Sequence, residues 1–231
     1  MARVSIVVPT LDEAAGIERA LAPLQALRAR GAEVIVVDGA SRDATRALAA
    51  SWADRVLEAP RGRASQMNAG ARSSRGDVLL FLHADTSLPE GALEAIEAAL
   101  ADPRRAWGRF DVRIEGRAWP LRLIAAAMNL RSRLTGIATG DQAIFVRRAA
   151  FEAAGGFPDI PLMEDVALSK ALKRASAPAC LAERVTTSGR RWERRGPWRT
   201  MALMWRLRLA YALGADPHRL ARRYDVERTS P

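Results

Sequence analysis

The chain has 231 residues, 49% of them hydrophobic and 27% charged, which is the balance of a globular protein with one domain or one domain plus an appendage. A single cysteine, Cys180, and two histidines, His83 and His218, exclude an internal disulfide, a multi-thiolate zinc site and a multi-histidine metal site. Of the net charge of +10, +7 falls on residues 189–231, where eleven arginines face four acids, so a polyanion or membrane partner would have to meet that end. Lysine occurs only at 170 and 173; so strong an arginine and alanine bias fits coding composition, and the high pI is discounted as evidence for nucleic acid.

Residues 4–8 (VSIVV) are β-branched, apolar and closed by Pro9, as in a fully buried strand. That run is too short for a secretory core, and no stretch approaches the ~20 apolar residues of a membrane span. With the lone cysteine, this predicts a cytoplasmic protein. Residues 12–29 space apolar side chains at 17, 21, 24 and 27, predicting a helix capped by Asp12 and stopped by Gly31. A second buried strand spans 33–37 and ends at Asp38-Gly39. A helix over 44–51 follows the capping signature at 41–43, and 55–57 is a short strand. Residues 64–73 read as a helix, 78–82 (VLLFL) as a third buried strand ending at His83-Ala84-Asp85, and 91–100 as a surface helix. Strands alternating with helices predict a Rossmann-like α/β fold, a mostly parallel sheet flanked by helices. The second half is less regular. An antiparallel strand is expected at 107–114, an apolar, arginine-dotted segment at 118–134, a strand at 142–146, a helix at 164–174 and a longer helix at 198–213.

In such sheets ligands sit beyond the C-terminal strand ends. Three of those ends carry acids here: Asp12 and Glu13, Asp38, and Asp85. One strand-end acid is usually a turn former, but several gathered together repel unless a cation or donors offset them. Mg²⁺ or Mn²⁺, which prefers carboxylate and phosphate oxygens, is the expected cofactor, with Asp85 as a ligand. His83 shares a strand face with Asp85 and is either a second metal or phosphate contact or a satisfied polar residue. Asp141, before the 142–146 segment, either binds hydroxyls of a ligand or is a turn acid. Arg191 and Trp192 read as part of a phosphate-binding loop, with a basic surface loop as the alternative.

Several motifs in order resemble a known family. Ser5-Ile6-Val7-Val8-Pro9-Thr10-Leu11-Asp12-Glu13 is similar to the opening strand of family 2 glycosyltransferases, and Val36-Val37-Asp38-Gly39-Ala40-Ser41-Arg42-Asp43 resembles their second-strand motif. Arg61-Gly62-Arg63-Ala64-Ser65-Gln66 is similar to the segment before their third strand. Phe81-Leu82-His83-Ala84-Asp85-Thr86 resembles their D-x-D metal motif, and Gly155-Gly156-Phe157-Pro158 with Met163-Glu164-Asp165 resembles their G-G-F…E-D segment. The likeness spans roughly residues 3 to 195, and the nearest subgroup is the small, single-domain, soluble bacterial one. It implies a GT-A fold over 1–195, with a nucleotide-binding half (1–100) and an acceptor and catalytic half (101–195), followed by a basic, apolar helical extension (196–231).

The resemblance implies inverting transfer of a sugar from a nucleotide sugar, a UDP-sugar by analogy, to an unknown acceptor hydroxyl on a small molecule or lipid. Pro9, Thr10, Glu13, Asp38, Arg63, Gln66 and Ala84 would contact the nucleotide sugar, with Asp38 on the base. Asp165 would be the general base, with Glu164 beside it. Two departures stand out: Gly39 replaces a second acid, and His83 the first acid of D-x-D, so weaker or dispensable metal binding is left open. Residues 187–192 sit where processive members carry Q-x-x-R-W, but Ser188 replaces the Gln, which argues against a processive polymerase. The helix at 198–213, apolar almost all round, predicts core or homodimer packing; the other use of its tryptophans and arginines is a peripheral seat on the inner face of an anionic membrane. Two other classes compete. A nucleotidyltransferase would need a Gly-rich loop after strand one, where no glycine appears until Gly16. A non-enzymatic module binding polyanions or membranes through 189–231 would leave the acidic strand ends unexplained.

Overall fold

The computed structural model describes residues 3–229, with side chains up to Tyr224. The side chains at 225, 227 and 228, counted above in the basic end, and residues 230–231 of the extension lie outside the described residues. The strands are β1 (Val4–Thr10), β2 (Glu33–Asp38), β3 (Arg55–Glu58), β4 (Val78–Phe81), β5 (Thr86–Ser87), β6 (Trp107–Glu115), β7 (Phe145–Arg147) and β8 (Ala179–Ser188). They form one sheet in the order β3-β2-β1-β4-β7-β6-β8-β5. The helices are α1 (Ile17–Leu21), α2 (Leu24–Ala29), α3 (Thr45–Ala49), α4 (Arg63–Ser73), α5 (Ala92–Leu100), α6 (Pro120–Thr135), α7 (Arg148–Ala153), α8 (Glu164–Leu172), α9 (Arg190–Arg195), α10 (Pro197–Ala212) and α11 (Pro217–Thr229).

The continuous β-branched runs do what their composition requires. Every residue of β1, β2 and β4 is buried, because helices cover both faces of this parallel part. One apolar cluster, with Ile6, Val8, Ile17, Leu21, Val34 and Leu80, fills one side; a second, with Val7, Ile35, Met67, Leu79 and Phe81, fills the other. Register places Thr10 beside Asp38, so the ends of β1 and β2 open at one level. Beyond β4 the sheet becomes mixed: β7 is antiparallel to both β4 and β6, and β6 runs parallel to β8 with an irregularity between Arg109 and Asp111.

Several expectations are corrected. The helix expected over 12–29 starts only at Ile17 and breaks before Leu24, because Pro23 lacks the N–H that would continue it. Asp12 does not cap it. Its backbone is left-handed (φ 52°) and its carboxylate instead accepts the Arg42 N–H at 2.8 Å. The strand expected at 142–146 divides into a 3-10 turn (Gly140–Gln142) and β7. The Arg191-Trp192 loop is the short helix α9. The apolar, arginine-dotted segment at 118–134 is the helix α6. Asn129 clamps Val112 through both its N–H and C=O, at 2.8 and 3.0 Å, and Arg133 reaches Asp111 at 2.8 Å, fixing α6 to β6.

Helix α10 is only half buried. Leu203 and Leu207 pack on Leu162, Met163 and Val166, while Trp198, Trp205, Leu209 and Leu213 are exposed, Trp205 by 64%. Trp119 and Leu130 of the α6 region are exposed too, and the Trp119 and Trp198 rings meet edge to face at 6.0 Å. No helix among the described residues is long and apolar enough to cross a membrane.

Candidate active site

Where the strand ends open, one cavity of about 1530 Å³ runs between the sheet edge and helices α6, α9, α10 and α11. Its wall carries Pro9, Thr10, Glu13, Arg63, Gln66, His83, Ala84, Asp85, Asp141, Arg191 and Trp192. Eleven residues singled out along the sequence, spread over more than 180 positions, thus meet on one surface.

The β1 and β2 loops are clipped together. The Asp12 N–H donates to Ser41 Oγ at 2.9 Å and the Glu13 N–H to Thr45 Oγ1 at 2.8 Å. Asp38 lies beneath the cavity rather than on its wall. It is fully buried, accepting the Ser41 N–H at 2.8 Å and the hydroxyls of Ser41 and Thr10. Both its oxygens already accept bonds and none of its surface is exposed, so direct contact with a base would require the residues over it to move. Gln66 donates from Nε2 to the carbonyls of Thr10 and Val37, both at 2.8 Å. A Cβ at Gly39 would lie 3.1 Å from that amide, which accounts for glycine where an acid was expected.

At the end of β4, the Cε1–Nε2 edge of His83 abuts Gly140. A Cβ there would sit 2.5 Å from both its Cε1 and Nε2. Its Nδ1 faces Asp141 Oδ1 at 3.4 Å. Enclosure in the cavity would raise the Asp141 pKa, but the bond and charge of His83, with Arg191 and Arg63, outweigh it and hold the carboxyl below its usual range. The Gly140 N–H donates to Asp165 Oδ2 at 2.8 Å, and Asp165 Oδ1 accepts its neighbour Val166 N–H at 2.7 Å. Asp165 thus stands one layer behind the wall, next to Asp141.

Glu164 and Asp165 open α8. The Phe81, Phe151 and Phe157 rings, with centroids 4.8 to 5.7 Å apart, fix the G-G-F segment before them. Asn68 ties Phe157 to α4 by a reciprocal backbone pair at 2.8 and 3.0 Å. Burial, then the charge of Asp165, pushes Glu164 up to about 7. Burial also raises Asp165, against the opposing Gly140 and Val166 N–H groups and Arg63. These carboxylates in turn keep Arg63 firmly protonated despite desolvation.

A family model described as Glycosyl transferase family 2 matches residues 5–152. The chain belongs to that family. It is 30% identical over 167 residues to the undecaprenyl-phosphate 4-deoxy-4-formamido-L-arabinose transferase of Pseudomonas paraeruginosa, covering 62% of this chain and 46% of that protein. The chain therefore spans about half the length of the curated relatives it matches. A mannosyltransferase from Pyrobaculum calidifontis, solved with GDP-Man and Mn²⁺, superposes with a TM-score of 0.66 at 24% identity, covering 94% of this chain and 66% of that one. The glucosyl-3-phosphoglycerate synthase of Mycobacterium tuberculosis, solved with Mn²⁺, UDP and glucosyl-3-phosphoglycerate, does so with a TM-score of 0.58 at 18% identity, covering 80% and 71%. These likenesses establish the GT-A fold of this family 2 chain.

For a divalent cation, Asp85 offers an exposed carboxylate on the cavity wall, held in place where its carbonyl accepts the Ser188 N–H at 3.0 Å. Glu13 is near enough that burial and then the Asp85 charge raise its pKa. Two neighbouring acids on one wall fit a cation that takes one or two carboxylates and fills its sphere with water and substrate phosphates. Among the described residues no group of three or more His, Cys, Asp or Glu side chains is gathered as a cage. His83 is turned to Asp141 rather than to Asp85.

One wall residue carries no sequence signal. Arg131, on α6, faces the cavity, and its Nε and Nη2 are buried without a hydrogen-bond partner.

Proposed function

We propose that this chain transfers a sugar, with inversion, from a nucleotide sugar, read as a UDP-sugar, to an acceptor hydroxyl. The observation supporting this most directly is the convergence of three separated motifs, those at 9–13, 61–66 and 83–85, on the wall of one cavity, with Asp38 and Asp165 of the other two directly behind it. The nucleotide and sugar-nucleotide complexes of the two solved relatives, and the sugar-transferase name of the curated one, agree with it. In this reading residues 1–100 hold the donor and 101–195 the acceptor.

Pro9, Thr10 and Glu13 bound the nucleoside pocket, with Asp38 supporting it through Thr10 and Ser41. Arg63, Gln66, Arg191 and Trp192 hold the ribose and diphosphate, and Ala84 lets the sugar approach. The acceptor oxygen bonds to the anomeric carbon as the carbon–oxygen bond to the diphosphate breaks on the opposite face. Asp165, with Glu164 beside it, takes the acceptor proton; burial, with the Asp141 charge, raises its pKa and makes it a stronger base than an ordinary carboxylate. Its place behind Asp141 requires a small adjustment on substrate binding, as catalytic groups often need. Asp141, ionised and half exposed, receives sugar or acceptor hydroxyls. Mg²⁺ or Mn²⁺ on Asp85 would neutralise the leaving diphosphate.

The exposed Trp119, Trp198, Trp205 and Leu209, with Arg122, Arg199 and Arg206 exposed near them, support a shallow peripheral seat on an anionic membrane. A homodimer through α10 is the competing use of that face.

The test is a panel of nucleotide sugars with and without Mn²⁺. A ligand at a hundred times its Kd stabilises by about 2.7 kcal/mol, roughly 5–10 °C of melting temperature at this size. Asp165→Asn should keep that shift and lose transfer by roughly 10²–10⁴-fold. No shift and no turnover across the panel would refute glycosyl transfer; full turnover by Asp165→Asn would refute the base.

A further inference from the structure

The extension beyond residue 195 reaches the cavity through one face of α11. His218, Ala221 and Tyr224, at helical i, i+3 spacing, line its wall. The helix is anchored by Leu220, which is buried in one cluster with Leu203 and Leu207 of α10 and with Leu162, Met163 and Val166, the neighbours in sequence of Glu164 and Asp165. Ala221 and Tyr224 pack against the same cluster. Asp216 fixes the start of the helix, its carboxylate accepting the His218 N–H at 3.0 Å. The half-buried Tyr224 is thus tied to the element that carries the two site carboxylates.

Tyr224 meets Arg191 there. The guanidinium carbon lies over the ring, 6.0 Å from its centroid, within reach of the attraction between a cation and an aromatic face. Arg191 is exposed, and among the described residues no hydrogen bond or ion pair reaches its side chain; Asp141 feels its charge from a distance. A ring face attracts the charge but supplies no acceptor oxygen, so the N–H donors of Arg191 stay free for a diphosphate. Arg63, the other arginine assigned to the diphosphate, is also close enough for the Tyr224 phenol to act on its titration. An exposed arginine gives up rotamer freedom when it takes a ligand, and one already held gives up less.

We propose that Tyr224 is a positioning residue for the donor: its ring holds the Arg191 guanidinium by its charge and leaves the N–H donors to the diphosphate, so that α11 completes the donor subsite from outside residues 1–195. This role rests on the reading of Arg191 as a diphosphate contact. It gives the extension a part in the reaction besides packing or membrane contact.

UDP and GDP, each against its own nucleoside, are the probes, followed by calorimetry on the full chain in Mg²⁺, with the nucleosides measured by competition. The ratio of nucleotide to nucleoside affinity isolates the diphosphate, and a fraction of unfolded chain lowers both affinities alike and leaves the ratio. For whichever nucleotide the wild-type chain binds tighter, Tyr224→Leu, which keeps an apolar side chain on the cluster, should lower that ratio about two- to fivefold. Tyr224→Phe, which keeps the ring, should leave it unchanged. Arg191→Met should lower it roughly tenfold or more, and adding Tyr224→Leu to Arg191→Met should lower it no further. An unchanged ratio in Tyr224→Leu, equal losses in Tyr224→Leu and Tyr224→Phe, or a further loss in the double variant would each overturn the positioning role while leaving Arg191 on the diphosphate. An unchanged ratio in Arg191→Met would overturn it by taking Arg191 off the diphosphate, and no binding of either nucleotide would do so by removing the donor itself.

Discussion

Replacing Gly140 by alanine tests the contact on which the catalytic wall is built. The added Cβ would stand 2.5 Å from Cε1 and Nε2 of His83, well inside van der Waals contact. His83 has little room to retreat, since its side chain is only 11% exposed and its Nδ1 faces Asp141. Overpacking of this kind costs about 1–3 kcal/mol, or roughly 2–12 °C of melting temperature for a chain of this size. In a His83→Ala background the clash disappears. Gly140 opens a 3-10 turn and is not among the positive-φ glycines, so alanine fits its backbone. It would then stabilise by about 0.4–1 kcal/mol, by restricting the unfolded chain. The effect of the same substitution should change sign, giving a coupling of about 1.4–4 kcal/mol in a double-mutant cycle measured by denaturant unfolding. If the two changes add within about 0.5 kcal/mol, His83 does not lie on Gly140, and the linkage from β4 through Gly140 to Asp165 is wrong.

Glu164, pushed up to about 7, binds a proton in the folded chain that the unfolded chain has already released, so stability should fall as pH rises from about 4.5 to about 7. Asp165 acts in the same direction, and melting curves of Glu164→Gln against pH should lose much of that slope. Asp141, held low, acts in the opposite sense, its contribution being lost in acid. Asp85→Asn should abolish the Mn²⁺-dependent part of UDP stabilisation and leave the metal-free part, as read in melts with and without a chelator. Trp198→Ala with Trp205→Ala should reduce co-sedimentation with anionic vesicles roughly tenfold with little change in melting temperature; unchanged co-sedimentation, or a dimer that the double change dissociates, would assign that face to self-association.

The parallel half of the fold was legible because burial on both faces leaves a signature in the chain itself. β1, β2 and β4 are continuous apolar runs, and their observed ends fall within three residues of the expected ones. The mixed half was not. β8 sets buried Val185 and Thr187 among exposed Ala182, Glu183 and Arg184 and half-buried Thr186, and β5 has two residues, so neither carries an apolar run long enough to stand out. Helix α10 misled for a different reason. Its all-round apolar composition reads as burial, but while Leu203 and Leu207 pack on Leu162 and Val166 and Met201 on the α6 cluster, Trp205 and Leu209 stay exposed, a division fixed by where those partners lie in the fold. Asp38 and Asp165 carried clear motif signals, yet sequence alone does not say that each sits a layer behind the cavity wall. Arg131 is invisible in a different way. Its residue type is the commonest charged one in the chain, and what sets it apart, donors with no acceptor, exists only in three dimensions.

Backbone strain marks the same place independently of the motifs. Among the described residues four non-glycine positions have positive φ: Asp12, Ala40, Ala143 and Met163, at 52°, 64°, 47° and 70°. A left-handed backbone costs an L-residue about 1–2 kcal/mol and persists only where the surroundings enforce it. Each of the four lies within two residues of a site group. Asp12 precedes Glu13, Ala40 lies between Asp38 and Ser41, Ala143 follows Asp141 and Gln142, and Met163 precedes Glu164. The enforcing contacts are also on the page: Ser41 and Arg42 around Asp12, the reciprocal Thr139 and Gln142 cap before Ala143, and the phenylalanine cluster leading to Met163. Strain spread by chance over loops would also fall at the far end of the sheet, and no such non-glycine residue is described there. A scaffold that concentrates left-handed turns around one cavity is holding carboxylates where a relaxed loop would not put them, against the mutual repulsion that gathered acids carry.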